Sequence, residues 1–372
     1  MVDLKTQYIN IKDEVDSAIR SVIESTAFIR GKEVGLLEED LANFLGADNV
    51  IGCGNGTDAL QVALMALDLN RGDEIITTDF TFIATAEVIA LLGLKPVLVE
   101  PDPDTFNISP GAVRNAITDK TRAILPVHLF GQCAAMEELL DIAREHSLYI
   151  IEDTAQALGS EYQFSDGKKA MAGTMGTIGT TSFFPSKNLG CYGDGGAIFT
   201  GDRILAEKIR SIVNHGMTKK YYHDYIGINS RLDTLQAAIL RVKLKYLGAY
   251  NKSRAGSAAI YNAAFRFIEG ISCPVQSTFS SHIFHQYTLK LDPSDRDPLK
   301  EFLALNNIPS MIYYPVPLHR QEAYKYLSLS DRDFPLTNSL AESVLSLPMH
   351  TELSSDQIDY ITSKVLEYFE EI

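Results

Sequence analysis

The chain has 372 residues, 45% hydrophobic and 22% charged, with a formal net charge of −15. That is enough for one large domain and a smaller one, in a composition typical of ordinary soluble globular proteins. With no run of lysine or arginine, the acidity argues against nucleic acid or an anionic membrane surface as a partner, and a surface tuned for solubility is its simpler meaning.

Residues 6–45 carry apolar positions at helical spacing, interrupted at Gly31. Ile51-Gly52-Cys53-Gly54-Asn55-Gly56-Thr57 reads as a glycine-rich turn, and Asp58–Leu67 as a helix with Leu60, Leu64 and Leu67 on one face. Apolar strands then alternate with helices. Strands are expected at Asp73–Thr78, Pro96–Glu100, Ala123–Leu129, Tyr149–Asp153, Thr177–Phe184 and Gly196–Thr200. Helices are expected at Ile83–Leu92, Pro110–Ile117, Ala135–His146, Arg203–Val213 and Leu232–Leu247. Nearly continuous Val/Ile/Leu strands are buried on both faces, and their alternation with helices predicts a doubly wound, mostly parallel α/β sheet. From about residue 250 the pattern changes to a long helix, 251–267, and shorter elements that include Gln286–Leu291 and Leu299–Leu305. This predicts a large domain over 1–250 and a small C-terminal α+β domain over 251–372.

The longest apolar stretch, near 84–94, is too short and too punctuated to insert into a bilayer. The four cysteines are widely spaced, with no CxxC pair and no histidine cluster, so neither a metal site nor a disulfide is expected. Met1-Val2-Asp3-Leu4-Lys5 does not read as a signal peptide, and the expected location is cytoplasmic.

The most informative residue is Lys187, which follows an apolar strand and a hydroxyl-bearing turn and precedes the glycines of 190–196. A lysine in partly apolar surroundings loses its proton more readily and becomes a nucleophile toward carbonyls. Nearby Ser182 and the loop amides suit a phosphate, and an amine beside an anion cradle is what pyridoxal 5′-phosphate requires. Gly56, Thr57 and Asp58 lie where a turn enters a helix, a place that favours phosphate; a plain N-cap is the bland alternative. Asp153 ends a buried strand, at the edge where open parallel sheets bind ligands. There it is placed to pair with a pyridine nitrogen, with Gln156 bracing the ring, or simply to cap a helix. Phe82 follows a strand end and is able to stack on a flat ring, although such residues are more often core. Arg231 suits bidentate capture of a carboxylate or phosphate, its bland alternative being an ion pair with Asp233. The segment 311–319, with Tyr313, Tyr314 and His319, is suited to meet a sugar or base.

Taken in order, the segments Asn55–Leu60, Thr81–Ala86, Pro126–Gln132, Glu152–Ala157, Ser182–Gly190, Gly193–Gly196, Asn229–Ala238 and Tyr314–Leu318 resemble the DegT-type nucleotide-sugar aminotransferases of fold type I, over essentially the whole chain. The resemblance implies that Lys187 is the Schiff-base lysine and proton carrier, that Asp153 pairs with the pyridine nitrogen, and that Gln156 contacts the ring oxygen. It further implies that Gly56, Thr57 and Ser182 hold the phosphate, that Phe82 covers the ring, and that Asn229 reaches the neighbouring subunit's cofactor in an obligate homodimer with shared active sites. L-Glutamate and a nucleotide-linked keto sugar are the implied substrates. The stretches 182–196 and 229–236 are similar to enzymes that aminate C3 of UDP-2-acetamido-2-deoxy-3-oxo-glucuronate, for which Arg231 would bind the uronate carboxylate. Tyr313 departs from the histidine some of those enzymes carry before the Tyr-Pro pair. The alternatives are a C3 or C4 aminotransferase for a dTDP- or UDP-linked keto-deoxysugar, and a non-catalytic regulator on the same fold.

Overall fold

The computed structural model describes residues 1–370, so the last two positions of the expected C-terminal domain lie outside the described residues. Seven strands form the main sheet: β1 Asn49–Cys53, β2 Glu74–Thr78, β3 Lys95–Val99, β4 Thr121–Leu125, β5 Tyr149–Asp153, β6 Ile178–Ser182 and β7 Gly196–Thr200. Their order is β1-β7-β6-β5-β4-β2-β3. Only β7 pairs antiparallel to its neighbours β1 and β6, so the expected mostly parallel α/β sheet is what the chain builds.

Side chains alternate between the two faces of the sheet. Ile75, Ala123, Leu125, Ile151, Ile178 and Ile198 pack on the side of the helix Gly56–Ala66. Ile76, Ile124 and Ile150 pack on the other side, with Leu139 and Ile142 of the helix Met136–His146. The same alternation sends Asp153 and its neighbour Glu152 to opposite faces. That is why two adjacent carboxylates have different surroundings.

Several boundaries differ from expectation for local reasons. The glycine-rich turn at 51–57 begins as strand β1, with Val50, Ile51 and Cys53 buried; Gly52 fits because a Cβ there would stand 3.2 Å from Leu232. The expected strand through Leu129 stops at Leu125, before Pro126, and 129–131 form a 3₁₀ turn with Phe130 at φ 56°. The helix expected at 232–247 runs Thr234–Leu244, and the long helix expected at 251–267 starts four residues earlier, as Leu247–Phe265, so that residue 250 falls inside it. The helix expected from Leu299 begins at Pro293, capped by Asp292, whose carboxylate accepts from the Ser294 N–H at 2.9 Å.

The C-terminal residues gather around a three-stranded antiparallel sheet: β8 Ile271–Ser272, β9 Tyr287–Leu291 and β10 Val344–Leu347. Tyr261, Phe265, Leu289, Leu345 and Val365 belong to one apolar cluster there. Among the described residues no helix is long and apolar enough to cross a membrane.

Candidate active site

The carboxyl ends of β1, β2, β4, β5 and β6 meet at one edge of the sheet, where open α/β sheets form their ligand crevice. A cleft of about 670 Å³ lies there. Gly56, Thr57, Asp58, Phe82, Asp153, Gln156, Ser182, Lys187, Tyr313 and Tyr314 all line it.

At one end the helix Gly56–Ala66 points its N-terminus into the cleft. Asn55 caps it by accepting from the Asp58 N–H at 2.8 Å, and the Ala59 N–H donates to the Asn55 carbonyl at 3.0 Å. Among the described residues, the N–H groups of Gly56 and Thr57 are left for a ligand, as the first turn of a helix allows. Ser182 closes on Gly56 so tightly that a Cβ on the glycine would stand 2.6 Å from Ser182 Cβ. Two amides, two hydroxyls and a helix dipole make an anion cradle.

At the other end Lys187 and Asp153 are near enough to feel each other's charge. Burial pulls the Lys187 amine down to about 8, against a smaller pull upward from Asp153. Burial raises the Asp153 carboxyl, offset by the Ala155 N–H, Lys187, His128 and the Thr85 hydroxyl. The Ala155 N–H donates to Oδ1 at 3.0 Å and the Thr85 hydroxyl to Oδ2 at 3.4 Å. Gln156 is fixed at both ends: its Oε1 accepts from the Phe130 N–H at 2.9 Å, and its Nε2 donates to the Tyr314 hydroxyl at 3.0 Å. Phe82 is 55% exposed and sits 6.4 Å from the Tyr314 ring, at the mouth.

Two residues expected at the substrate, His319 and Arg231, are elsewhere. His319 does not border the cleft. It is buried, with Nδ1 at 2.6 Å from Asp79 Oδ2 and Nε2 at 3.1 Å from Asp331 Oδ1, and its ring stacks on Phe334 at 4.4 Å. The Asp79 carboxylate also accepts the His319 N–H at 2.8 Å, so this histidine ties the loop after β2 to the 313–319 segment. Arg231 lines a separate cavity of about 320 Å³ with Arg30, Arg210 and Glu38. Its Nε is buried without a partner among the described residues, and no ion pair joins it to Asp233. Asn229, expected to act at the neighbouring subunit's cofactor and not at its own, is exposed and outside this cleft.

Other residues went unread in the sequence. His285 and Gln286 enter the cleft from the start of β9, about a hundred positions after Lys187. No local pattern connects such distant segments. Glu152 is fully buried; its Oε1 accepts from the N–H groups of Met175 and Gly176, and its Oε2 from the Gly173 N–H and His128 Nε2. It binds the strand bearing Asp153 to the turn that leads into the strand bearing Ser182.

These groups, together in one cleft, suit one ligand type. Pyridoxal phosphate needs an amine of lowered basicity, a carboxylate for its ring nitrogen and a cradle for its phosphate, and this cleft provides all three. An enzyme built on this sheet around such a site is a pyridoxal phosphate-dependent enzyme of fold type I. The chain belongs to the DegT/DnrJ/EryC1/StrS aminotransferase family, whose profile matches residues 9–366.

The chain is 46% identical over 371 residues to a protein of Geobacillus stearothermophilus named a pleiotropic regulatory protein, covering 99% of this chain and 98% of that one. It is 44% identical over 360 residues to the UDP-2-acetamido-2-deoxy-3-oxo-D-glucuronate aminotransferase of Pseudomonas aeruginosa, covering 97% of each. The crystal structure of S. venezuelae DesV in complex with a ketimine intermediate superposes with a TM-score of 0.95 at 38% identity, covering 100% of this chain and 98% of that one.

Proposed function

We propose that the chain transfers the amino group of L-glutamate to C3 of UDP-2-acetamido-2-deoxy-3-oxo-glucuronate, for surface polysaccharide biosynthesis. The observation that carries the amino-transfer chemistry is that Lys187 and Asp153 line one cleft together with the residues of the anion cradle. The similarity to the P. aeruginosa enzyme supports the choice of sugar.

Bound pyridoxal phosphate supplies an electron sink for the carbon that loses a proton. The protein contributes binding and proton handling. The Gly56 and Thr57 amides, with the Thr57 and Ser182 hydroxyls, would hold the phosphate. Asp153 would hold a proton on the ring nitrogen of the bound group, and the hydrogen bonds it accepts from Ala155 and Thr85 fix its orientation. With its basicity lowered to about 8, Lys187 is a free amine in part of the molecules near neutral pH, so its Nζ is able to take a proton from the donor's α-carbon and return it. Gln156, braced between Phe130 and Tyr314, forms a rigid side to the ring pocket. Phe82 at the mouth restricts water.

In this reading the active unit is a homodimer. Asn229 and Arg231, which stand outside their own chain's cleft, serve the cleft of the neighbouring copy, with Arg231 reading the uronate carboxylate. The runner-up substrate, a dTDP- or UDP-linked keto-deoxysugar, would leave Arg231 no carboxylate to bind. The regulatory name of the G. stearothermophilus relative keeps a non-catalytic role in view. Against it stand Lys187 and Asp153, both retained and both facing the cleft.

The test is a visible spectrum of the cofactor-loaded protein, taken after L-glutamate and again after each candidate sugar. The reading expects the yellow band to bleach with glutamate and to return with the 3-oxo-glucuronate. Return only with a keto-deoxysugar would move the assignment to the runner-up. No bleaching with glutamate would remove the proposed donor.

A further inference from the structure

A chain of amide contacts fixes the chemical form of His285. Asn251 Nδ2 donates to the Leu158 carbonyl at 3.3 Å, and a backbone carbonyl only accepts, so Asn251 Oδ1 points the other way. That oxygen accepts from Asn188 Nδ2 at 2.8 Å, and the same Nδ2 lies 3.4 Å from the Ile283 carbonyl. Asn188 therefore presents Oδ1, not its NH₂, to His285 Nδ1 at 3.1 Å. Reversing Asn188 would set its oxygen against two other oxygens. An amide oxygen is an acceptor only, so the proton of a neutral His285 sits on Nδ1 and Nε2 carries the lone pair.

The ring is also kept neutral. Burial is the main reason its basicity falls well below the ordinary histidine range, and the charges of Lys187 and Arg254 add to it. Arg254 fixes the backbone here as well: its Nη1 donates to the carbonyls of Phe284 at 3.2 Å, His285 at 3.3 Å and Met349 at 3.1 Å. Among the described residues Nε2 has no protein partner, while His285 borders the cleft with Lys187. Asn188, which sets the tautomer, is the residue next to Lys187 in the chain.

We propose that His285 is a positioning residue for Lys187: a neutral imidazole, locked as the Nδ1–H tautomer by Asn188, whose Nε2 lone pair, unpaired among the described residues, is the acceptor offered to the lysine Nζ in the same cleft. The proposal rests on reading Lys187 as the reacting amine. The proton stays on the lysine, because the imidazole is much the weaker base of the two. His285 thus aims the amine and does not replace it as a base. The Asn188–Asn251 pair belongs to the same device, since turning Asn188 would offer Nδ1 a donor and move the ring proton to Nε2, and Asn251 Oδ1 holds Asn188 against turning.

Two measurements test it on protein without cofactor. The first is ¹⁵N NMR of histidine-labelled protein, with the His285 signals assigned by their loss in His285→Gln. The expected result is protonated Nδ1 and bare Nε2, unchanged between about pH 6 and 8. A protonated Nε2 overturns the proposal, whatever Lys187 does. The second is the pH midpoint for acetylation of Lys187 by acetic anhydride, read by peptide mass spectrometry. Loss of one acceptor to an ammonium in His285→Phe is expected to lower the midpoint by roughly one pH unit, and His285→Gln, which offers an amide oxygen, to restore part of it. An unchanged midpoint in His285→Phe overturns the proposal. If His285→Phe fails to fold, the wild-type tautomer decides. Should the cofactor prove to be bound through another lysine, the functional reading falls while the tautomer result stands by itself.

Discussion

Replacing Gly56 by alanine tests the anion cradle at its tightest point. The new Cβ would stand 2.6 Å from Ser182 Cβ and 3.1 Å from its Oγ. Non-bonded carbons settle near 3.5–4 Å, so one partner must recoil by about 1 Å. Ser182 has little freedom to do so. It pairs with Gly196 in the ladder between β6 and β7, and a Cβ on Gly196 would itself lie 2.5 Å from the Asn55 carbonyl oxygen. The helix N-terminus must therefore move, and with it the amides of residues 56 and 57. Overpacking of this kind costs about 1–3 kcal/mol, and a comparable loss in phosphate contacts weakens cofactor binding by roughly 10- to 100-fold. Fluorescence titration of the apoprotein with pyridoxal phosphate reads the affinity, and thermal melts with and without cofactor separate it from general destabilisation. An unchanged dissociation constant in Gly56→Ala would refute the placement of the phosphate at this helix.

Asp153→Asn should still bind cofactor but lose about a hundredfold or more in kcat, because a buried charge aimed at the ring nitrogen is gone; wild-type steady-state kinetics would remove it from that role. Glu152→Gln should lower the melting temperature by several degrees, since whichever way the amide turns its NH₂ meets two donors, either Met175 and Gly176 or Gly173 and His128, at a cost of about 3 kcal/mol. An unchanged melt would mean that Glu152 is not a buried anchor. His319→Gln should lower thermal stability and leave KM for the sugar within about twofold; a raised KM with an intact melt would return His319 to the substrate site. Arg231→Ala should raise KM for the uronate sugar more than for its neutral analogue, and equal effects would show that it does not read the carboxylate.

Much of this site was legible because its parts come from strand ends, and buried parallel strands announce themselves. The segments with Asp153, Ser182 and Lys187 each follow a Val/Ile/Thr-rich run, and strands 149–153 and 196–200 were read to the residue. Strand β1 was hidden by Gly52 and Gly54, which resemble a turn but mark close approaches to Leu232 and Ser230. His319 was misplaced because a histidine in an aromatic, proline-rich segment has the same local signature whether it meets a ligand or a buried carboxylate. The deciding partner, Asp79, lies 240 positions away. Asp153 was read from its place at the strand end, but the anchoring role of Glu152 was not, because its partners Gly173, Met175, Gly176 and His128 lie in other segments. The His285 tautomer depends on contacts among residues 158, 188, 251 and 285, which no window of sequence contains.

The central claim is that Lys187 is the amine joined to the cofactor, and the chain offers a sharp internal control. Lys243 is also buried, and burial also lowers it to about 8, but it donates to the Gly190 carbonyl and does not line the cleft. Basicity alone would not choose between the two lysines. The most direct measurement is reduction of the pyridoxal phosphate-loaded protein with borohydride, followed by peptide mapping. The account predicts a stable phosphopyridoxyl group on Lys187 and an unmodified Lys243. A group found on Lys243, or spread over surface lysines with Lys187 free, would contradict it.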